Sequence, residues 1–203
     1  MKRKLVVLTF VSLDGVMQAP GGKGEDPSGG FDLEGWTVPF FDEAAGEVMD
    51  EQMGMPFDLL LGRKTYDIFA SYWPNQSKED PGAVTLNRAV KYVVTRHPIE
   101  KEWEKTMRIA NNVPDEIRKL KEADGPMLQV HGSSELIQTL LENDLVDEMW
   151  LKIFPVILGK GKRLFDRGAM PMAFKLIKSS VTPKGVIVAN FERAGEVETG
   201  SFA

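Results

Sequence analysis

Leu59-Leu60-Leu61-Gly62-Arg63-Lys64-Thr65-Tyr66 is the stretch on which the fold turns. Residues 57–61 form a continuous apolar-rich run, as required of a short strand covered on both faces, and so of a strand inside a parallel sheet. Glycine ends the run and allows a ligand close to the backbone. A helix expected over 65–71 follows, with free N–H donors and positive potential at its start. Thr65 either caps that helix or donates to a phosphate, while Arg63 and Lys64 supply charge. A capped helix with two solvated cations is the competing reading.

Upstream, residues 5–11 are apolar and largely β-branched, and read as a first buried strand. The segment 18–35 is rich in Gly, Pro, Asp and Ser, long enough to be a lid or ligand-binding loop. A helix is expected over 42–53, ended by Pro56. Downstream, the pattern predicts strands at 91–95, 107–110 and 127–131, and helices at 115–123 and 135–143. Residues 146–154 alternate, Met149, Leu151 and Ile153 opposing Trp150, Lys152 and Phe154. Segments 174–181 and 186–193 flank Pro183-Lys184-Gly185 as a terminal hairpin. The order implies an α/β fold: a mainly parallel central sheet flanked by helices, with an antiparallel C-terminal edge. One domain is expected over 1–203, with its core at about 3–193 and a polar tail.

Ligands of such sheets bind beyond the carboxyl ends of the strands. Two more junctions therefore join the first. In Val130-His131-Gly132-Ser133-Ser134-Glu135, a strand ends in glycine and hydroxyls precede an amphipathic helix, an arrangement able to cradle a pyrophosphate. Glu135 serves the helix N-terminus, and His131 reads as a satisfied, partly buried residue. Val93-Val94-Thr95-Arg96 ends a strand in a hydroxyl and a guanidinium, a group that binds phosphate bidentately. Three such junctions point to a nucleotide-shaped ligand with several phosphates.

Composition narrows the class. At 42% hydrophobic and 27% charged residues, the chain is neither disordered nor a coiled coil. The net charge of −5 argues against nucleic acid and anionic membranes as partners. The absence of cysteine removes disulfides, thiolate nucleophiles and Cys-based metal sites, and two distant histidines give no metal-ligand spacing. No metal is expected. The basic residues 1–4 before the apolar run superficially resemble a secretory signal, but no cleavage site follows. No run approaches the ~20 apolar residues of a membrane span, so a cytoplasmic protein is expected.

Leu61-Gly62-Arg63-Lys64-Thr65-Tyr66 resembles the Gly-Arg-x-Thr-Tyr/Trp motif of dihydrofolate-reductase folds. His131 to Leu136, Leu145-Val146-Asp147-Glu148 and the run Phe154-Pro155-Val156-Ile157-Leu158-Gly159-Lys160-Gly161-Lys162-Arg163-Leu164-Phe165 resemble the RibD C-terminal family. That family is the reductase domain of the bifunctional riboflavin-biosynthesis deaminase-reductase. Ser12-Leu13-Asp14-Gly15 fits it as well. The resemblance implies NADPH binding and hydride delivery to a small-molecule substrate. It places Gly62, Arg63, Lys64 and Thr65 at the adenosine phosphates, Thr95 and Arg96 at the ribose 2′-phosphate, and Gly132, Ser133 and Ser134 at the pyrophosphate. Gly159 and Gly161 form either a turn near the nicotinamide or a plain connection between strands.

Two departures matter. The zinc deaminase half has no counterpart in this cysteine-free sequence, so deamination is expected of another protein. Dihydrofolate reductases show Trp-x-x-Pro-x-Asp, whereas Trp36, Pro39, Phe41 and Asp42 here put Phe41 at the acid's offset. One helical residue is about 100° of rotation, so Asp42 either reaches the pocket through a local bulge or serves the helix start. Asp42 and Asp14 are the candidate proton donors, and Ser12, Asp14, Gly15, Trp36, Phe41 and Asp42 the candidate substrate contacts. The expected function is an NADPH-dependent reductase of the 5-amino-6-(5-phosphoribosylamino)uracil type, acting on a heterocycle, imine or carbonyl. The alternatives are pterin reduction, and a nucleotide-binding module without turnover. A homodimer is the expected assembly, with strand 146–154 pairing or stacking across a two-fold axis.

Overall fold

The computed structural model describes residues 2–166 and 170–202. Its strands are β1 (Leu5–Ser12), β2 (Phe57–Gly62), β3 (Lys91–Val94), β4 (Thr106–Ile109), β5 (Met127–His131), β6 (Glu148–Phe154), β7 (Ala173–Val181) and β8 (Ile187–Gly195). Its helices are α1 (Glu43–Gly54), α2 (Arg63–Tyr72), α3 (Pro81–Arg88), α4 (Val113–Glu122) and α5 (Ser134–Glu142). The sheet runs β4-β3-β2-β5-β1-β6-β8-β7. The first six strands in that order are mutually parallel, and β8 lies antiparallel between β6 and β7. The α/β architecture expected from the sequence, antiparallel edge hairpin included, is the one observed.

The leucine run explains the layering. Leu60 packs with Leu5, Val7, Leu128 and Val130 against Ile117 of α4 and Leu136, Ile137, Leu140 and Leu141 of α5. Leu59 and Leu61 face the other way, into a cluster with Tyr66 and Ala70 of α2, Leu86 of α3 and Trp103. Alternate residues of one strand thus enter cores on opposite sides of the sheet, as the two-residue side-chain period demands. In β1, Leu5 and Val7 join the first core, while Val6 and Leu8 meet Trp150 on the other face.

Two expectations need correction. The polar segment between α2 and β3 contains α3, capped by Asp80 and opened by Pro81. Only Ala83 and Leu86 of this helix are buried, too few to mark a helical period, although an Asp-Pro pair is a start signal. Strand β6 is hydrogen-bonded to β1 on one side and β8 on the other. It has no free edge, so it does not pair across a two-fold axis.

The chain start is fastened by a buried ion pair. The Arg3 guanidinium meets Asp58 of β2 at 2.5 Å and donates to the Pro126 carbonyl at 2.6 Å, and the second Asp58 oxygen accepts the Val90 N–H at 3.1 Å. Both side chains are almost fully covered. Removing one partner strands a charge in low dielectric, which costs about 3–5 kcal/mol. Asp58→Ala is therefore expected to lower the unfolding free energy by about 3 kcal/mol in urea denaturation. Arg3→Met added to it is expected to recover part of the loss, because the stranded charge goes.

Candidate active site

A cleft of about 1460 Å³ lies at the carboxyl ends of the parallel strands. Gly62 at the end of β2, Val94 at the end of β3 with Arg96 beyond it, Ala110 after β4, and His131 at the end of β5 with Gly132 beyond it all line the cleft. So do Leu8, Thr9 and Phe10 of β1 and Met49, Asp50 and Met53 of α1.

Helix termini give this cleft its polarity. Helices α1 and α3 have side-chain caps, Asp42 accepting from Ala45 N and Asp80 from Ala83 N, both at 2.9 Å. Helices α2, α4 and α5 begin at Gly62, Asn112 and Ser133 with no side-chain cap, and all three starts line the cleft. Their first backbone N–H groups have no intrahelical acceptor and carry the positive end of the helix dipole. The first turn of α2 holds no acid, whereas α4 carries Asp115 and Glu116 there and α5 carries Glu135. The start of α2 is thus the least offset by nearby acids of the three.

The two glycine junctions are built as one unit. Ser133 Oγ accepts the Gly62 N–H at 2.8 Å and donates to Thr65 Oγ1 at 2.7 Å. Gly132 and Ser133 both have positive φ, +70° and +71°, which turns the chain sharply out of β5. A Cβ at Gly62 would stand 3.0 Å from the Ser133 side chain, so glycine is what admits the latch.

Of the residues singled out by sequence, Gly62, Arg63, Lys64, Thr65, Arg96, Gly132, Ser133 and Ser134 line this one cleft. Their arrangement differs in detail from the expectation. Because α2 begins at Arg63, Thr65 sits within its first turn and Gly62 holds the cap position. Arg63 Nε is held by both oxygens of Asp67, at 2.9 and 2.8 Å, and its Nη1 donates to the Pro98 carbonyl. Lys64 pairs with Asp26. Thr95 is buried behind the lining, its hydroxyl accepting the His97 N–H at 3.2 Å. Arg96 is exposed at the cleft rim, and among the described residues no acceptor engages its guanidinium.

The structure does not bring Ser12, Asp14, Gly15, Trp36, Phe41, Asp42, Gly159 or Gly161 to the cleft lining. Asp42 caps α1 and also accepts the Lys184 N–H at 3.1 Å, so its carboxylate is spent on backbone. Ser12 and Gly15 form the turn after β1, where Ser12 Oγ donates to Asp14 at 2.6 Å and accepts the Val16 N–H at 2.9 Å. Asp14 accepts the N–H groups of Leu158 and Gly159 at 3.1 and 2.9 Å. Partial burial pushes its carboxyl up, yet these hydrogen bonds hold it down at about 2. An acid so poised keeps its charge and braces a turn. Trp36 is buried, donating to the Gln18 carbonyl at 2.8 Å and meeting Phe154 edge-on, and Phe41 meets Phe10 in the same way. Gly159 and Gly161 belong to a connection, and a Cβ at Gly161 would come 2.6 Å from Val16 Cγ1.

Sequence reasoning missed two contributors, Asp26 and Gln18, whereas His131 is satisfied as expected. Asp26, in the 18–35 segment, bridges Lys64 and Lys162, the latter at 2.8 Å, and all three line the cleft. Burial acts to raise the Asp26 carboxyl, but the two ammonium groups and Ser28 hold it well below the usual range. Gln18 shapes the segment, donating to the Asp26 and Ser28 carbonyls at 2.9 Å each. His131 is bound to Gln129 at 2.8 Å. Burial and the charge of Lys152 lower its imidazole to about 3, so it is neutral.

Known proteins share this fold. The profile of the RibD C-terminal domain matches residues 3–188. The uncharacterized protein YyaP of Bacillus subtilis is 28% identical over 197 residues, 92% of this chain and 93% of that protein. A putative riboflavin biosynthesis protein from Shewanella sp. PV-4 superposes with a TM-score of 0.65 at 22% identity, over 96% of this chain and 99% of that one. Enterococcus faecalis dihydrofolate reductase, complexed with NADP(H), gives a TM-score of 0.57 at 14% identity, over 98% and 100% of the two chains. The fold is therefore that of dihydrofolate reductase, and the chain belongs to the RibD C-terminal domain family.

Proposed function

We propose that this chain is an NADPH-dependent reductase that delivers hydride to a C=N or C=O bond of a small heterocyclic substrate, as in the reduction of a ribosylaminopyrimidine to its ribitylamino form. The observation that carries the reading is the convergence of three helix starts without side-chain caps on one cleft. A dinucleotide needs such donors for its phosphates, and backbone N–H groups supply them without long side chains. Gly62, Thr65, Gly132, Ser133 and Ser134 would hold the pyrophosphate. Arg96, with its guanidinium unengaged at the rim, would meet a ribose 2′-phosphate, the group that separates NADPH from NADH. The bound cofactor supplies the hydride, and the protein aligns the reacting carbons and keeps water out.

The substrate end of the cleft is the part bounded by Leu8, Phe10, Met49 and Met53, an apolar bed suited to a flat ring. Reduction of a pterin with its proton supplied through a carboxylate at the Trp-x-x-Pro motif is disfavoured, because Asp42 is committed to capping α1. Family membership and the NADP(H)-complexed relative support a nicotinamide cofactor.

Two measurements test the reading. In titration calorimetry on the purified chain, NADPH is expected to bind more tightly than NADH. Arg96→Ala is expected to weaken NADPH about ten-fold while leaving NADH unchanged, since one charge-assisted contact is worth roughly 1.5 kcal/mol. Gly62→Ala should displace Ser133 and weaken both nucleotides by about ten-fold, with circular dichroism unchanged, if the latch shapes the phosphate site. Absence of binding by either nucleotide would overturn the proposal.

A further inference from the structure

Beyond the phosphate junctions, the cleft continues along a wall built largely of rings. Met53 of α1, Phe69 of α2, Trp73 just beyond α2 and Leu86 of α3 pack in one apolar cluster, and all four line the cleft. Phe69 meets Trp73 edge-on, with ring centroids 6.2 Å apart, and meets His131 at the end of β5 in the same way, also at 6.2 Å. The row of rings thus leads from the neighbour of Gly132 to α3, where a Cβ on Gly82 would lie 3.7 Å from the Trp73 ring. Thr85 of α3 lines the cleft too, its hydroxyl donating to the Pro81 carbonyl at 2.9 Å. Met53 joins this wall to the bed on which a substrate ring would lie.

Charge is set against a phosphate here. The cations on the cleft lining are Arg63, Lys64, Lys162 and Arg96. Asp67 holds the first, Asp26 holds the two lysines, and Arg96 goes to the cofactor on the reading above. The charged side chain that α1 brings to the lining is Asp50, exposed and, among the described residues, paired with no cation. A phosphate at this wall would give up hydration to rings, a thioether and a carboxylate of its own sign, with no counter-charge in return. A phenyl or alkyl group would give up only its contact with water, which favours it, and aromatic rings also attract one another edge-on.

We propose that this wall is a subsite for an uncharged aromatic or alkyl substituent, and that the chain reduces an unphosphorylated ring that carries one. The proposal rests on the reductase reading above and names its substrate class. A phosphoribosyl substituent is thereby disfavoured, although the ring chemistry is unchanged. Helix α3 is what sets this preference, because it closes the end of the row with Leu86 and Thr85 and brings no cation to it.

The test compares three ligands that share one ring: 6-aminouracil, 6-benzylaminouracil and 6-(2-phosphonooxyethylamino)uracil, each titrated by calorimetry into the chain saturated with NADPH. The benzyl compound is expected to bind about ten-fold more tightly than the bare ring, as burial of a phenyl group predicts, and the phosphate compound more weakly than the bare ring. Thr85→Lys puts a cation on the wall at an exposed helical position, and is expected to raise the affinity for the phosphate compound about ten-fold. A native chain that takes the phosphate compound as tightly as the benzyl one, gains nothing from the benzyl group or binds none of the three overturns the proposal. So does a folded T85K variant that leaves the order of the three unchanged; if T85K does not fold, the native comparison decides. Failure of NADPH to bind is read in a separate titration and is directed at the reductase reading; the three ligands are then compared on the free chain by the same criteria.

Discussion

Strand β1 is hydrogen-bonded in parallel to β5 on one edge and β6 on the other, and its residues enter cores on both faces. A strand held in that way has neither a face nor an edge for water, so everything attached to it must come from elsewhere in the chain. Its partners begin more than a hundred residues later. Because all six central strands point the same way, the segments leaving β2, β3 and β5 emerge on one rim, and the helices that follow start there. The anion-binding polarity of the cleft is thus a consequence of topology before it is a matter of side chains. Glycine at 62 and 132 is the local concession that lets the two junctions touch through Ser133.

Three buried cations show how differently one sheet treats charge. Arg3 is neutralised by Asp58 and helps tie down the start of the chain. Lys91 is fully covered, donates to the carbonyls of Asn87 and Glu104 at 2.7 and 3.1 Å, and lies 4.2 Å from the Trp103 ring centre. Burial lowers its amine to about 8, and the carbonyl pair and the ring make the site structurally sufficient. Lys152 has a single amide acceptor and a phenyl ring. Burying a charge without full pairing is expensive. Lys91 and Lys152 thus differ in how many acceptors offset the cost of burial.

Much of this was legible in the residues. The fold followed from 57–66, because a buried strand ending in glycine before a helix has one common interpretation, and the structure sends its leucines to opposite cores as that interpretation requires. The glycine junctions were found for the same reason. The acids were not placed, because a turn aspartate satisfies its own neighbourhood first: Asp14 binds backbone N–H groups across the turn, and Asp42 caps the helix it precedes. Helix α3 escaped notice because only two of its residues are buried. Lys152 was recorded as one of an alternating set, and alternation does not reveal that both faces of β6 are covered.

The Asp26 bridge bears on how the cleft recognises phosphate at all. Lys64 and Lys162 look in sequence like charges available to a ligand, yet one carboxylate holds both. A ligand phosphate that recruited them would have to displace that carboxylate, which is itself fixed by Ser28 and by the Gln18 contacts to its segment. Exchange of one anion for another between the same two cations gains little, whereas the first backbone N–H groups within α2 have no intrahelical acceptor to lose. The same reasoning applies to Arg63, already doubly bound by Asp67. Under the proposed function, recognition at this end of the cleft would rest on the main chain, with Arg96 as the cation at the β3 rim whose guanidinium is not engaged among the described residues. On the proposed function, phosphate binding falls to the main chain and nucleotide choice to a single side chain.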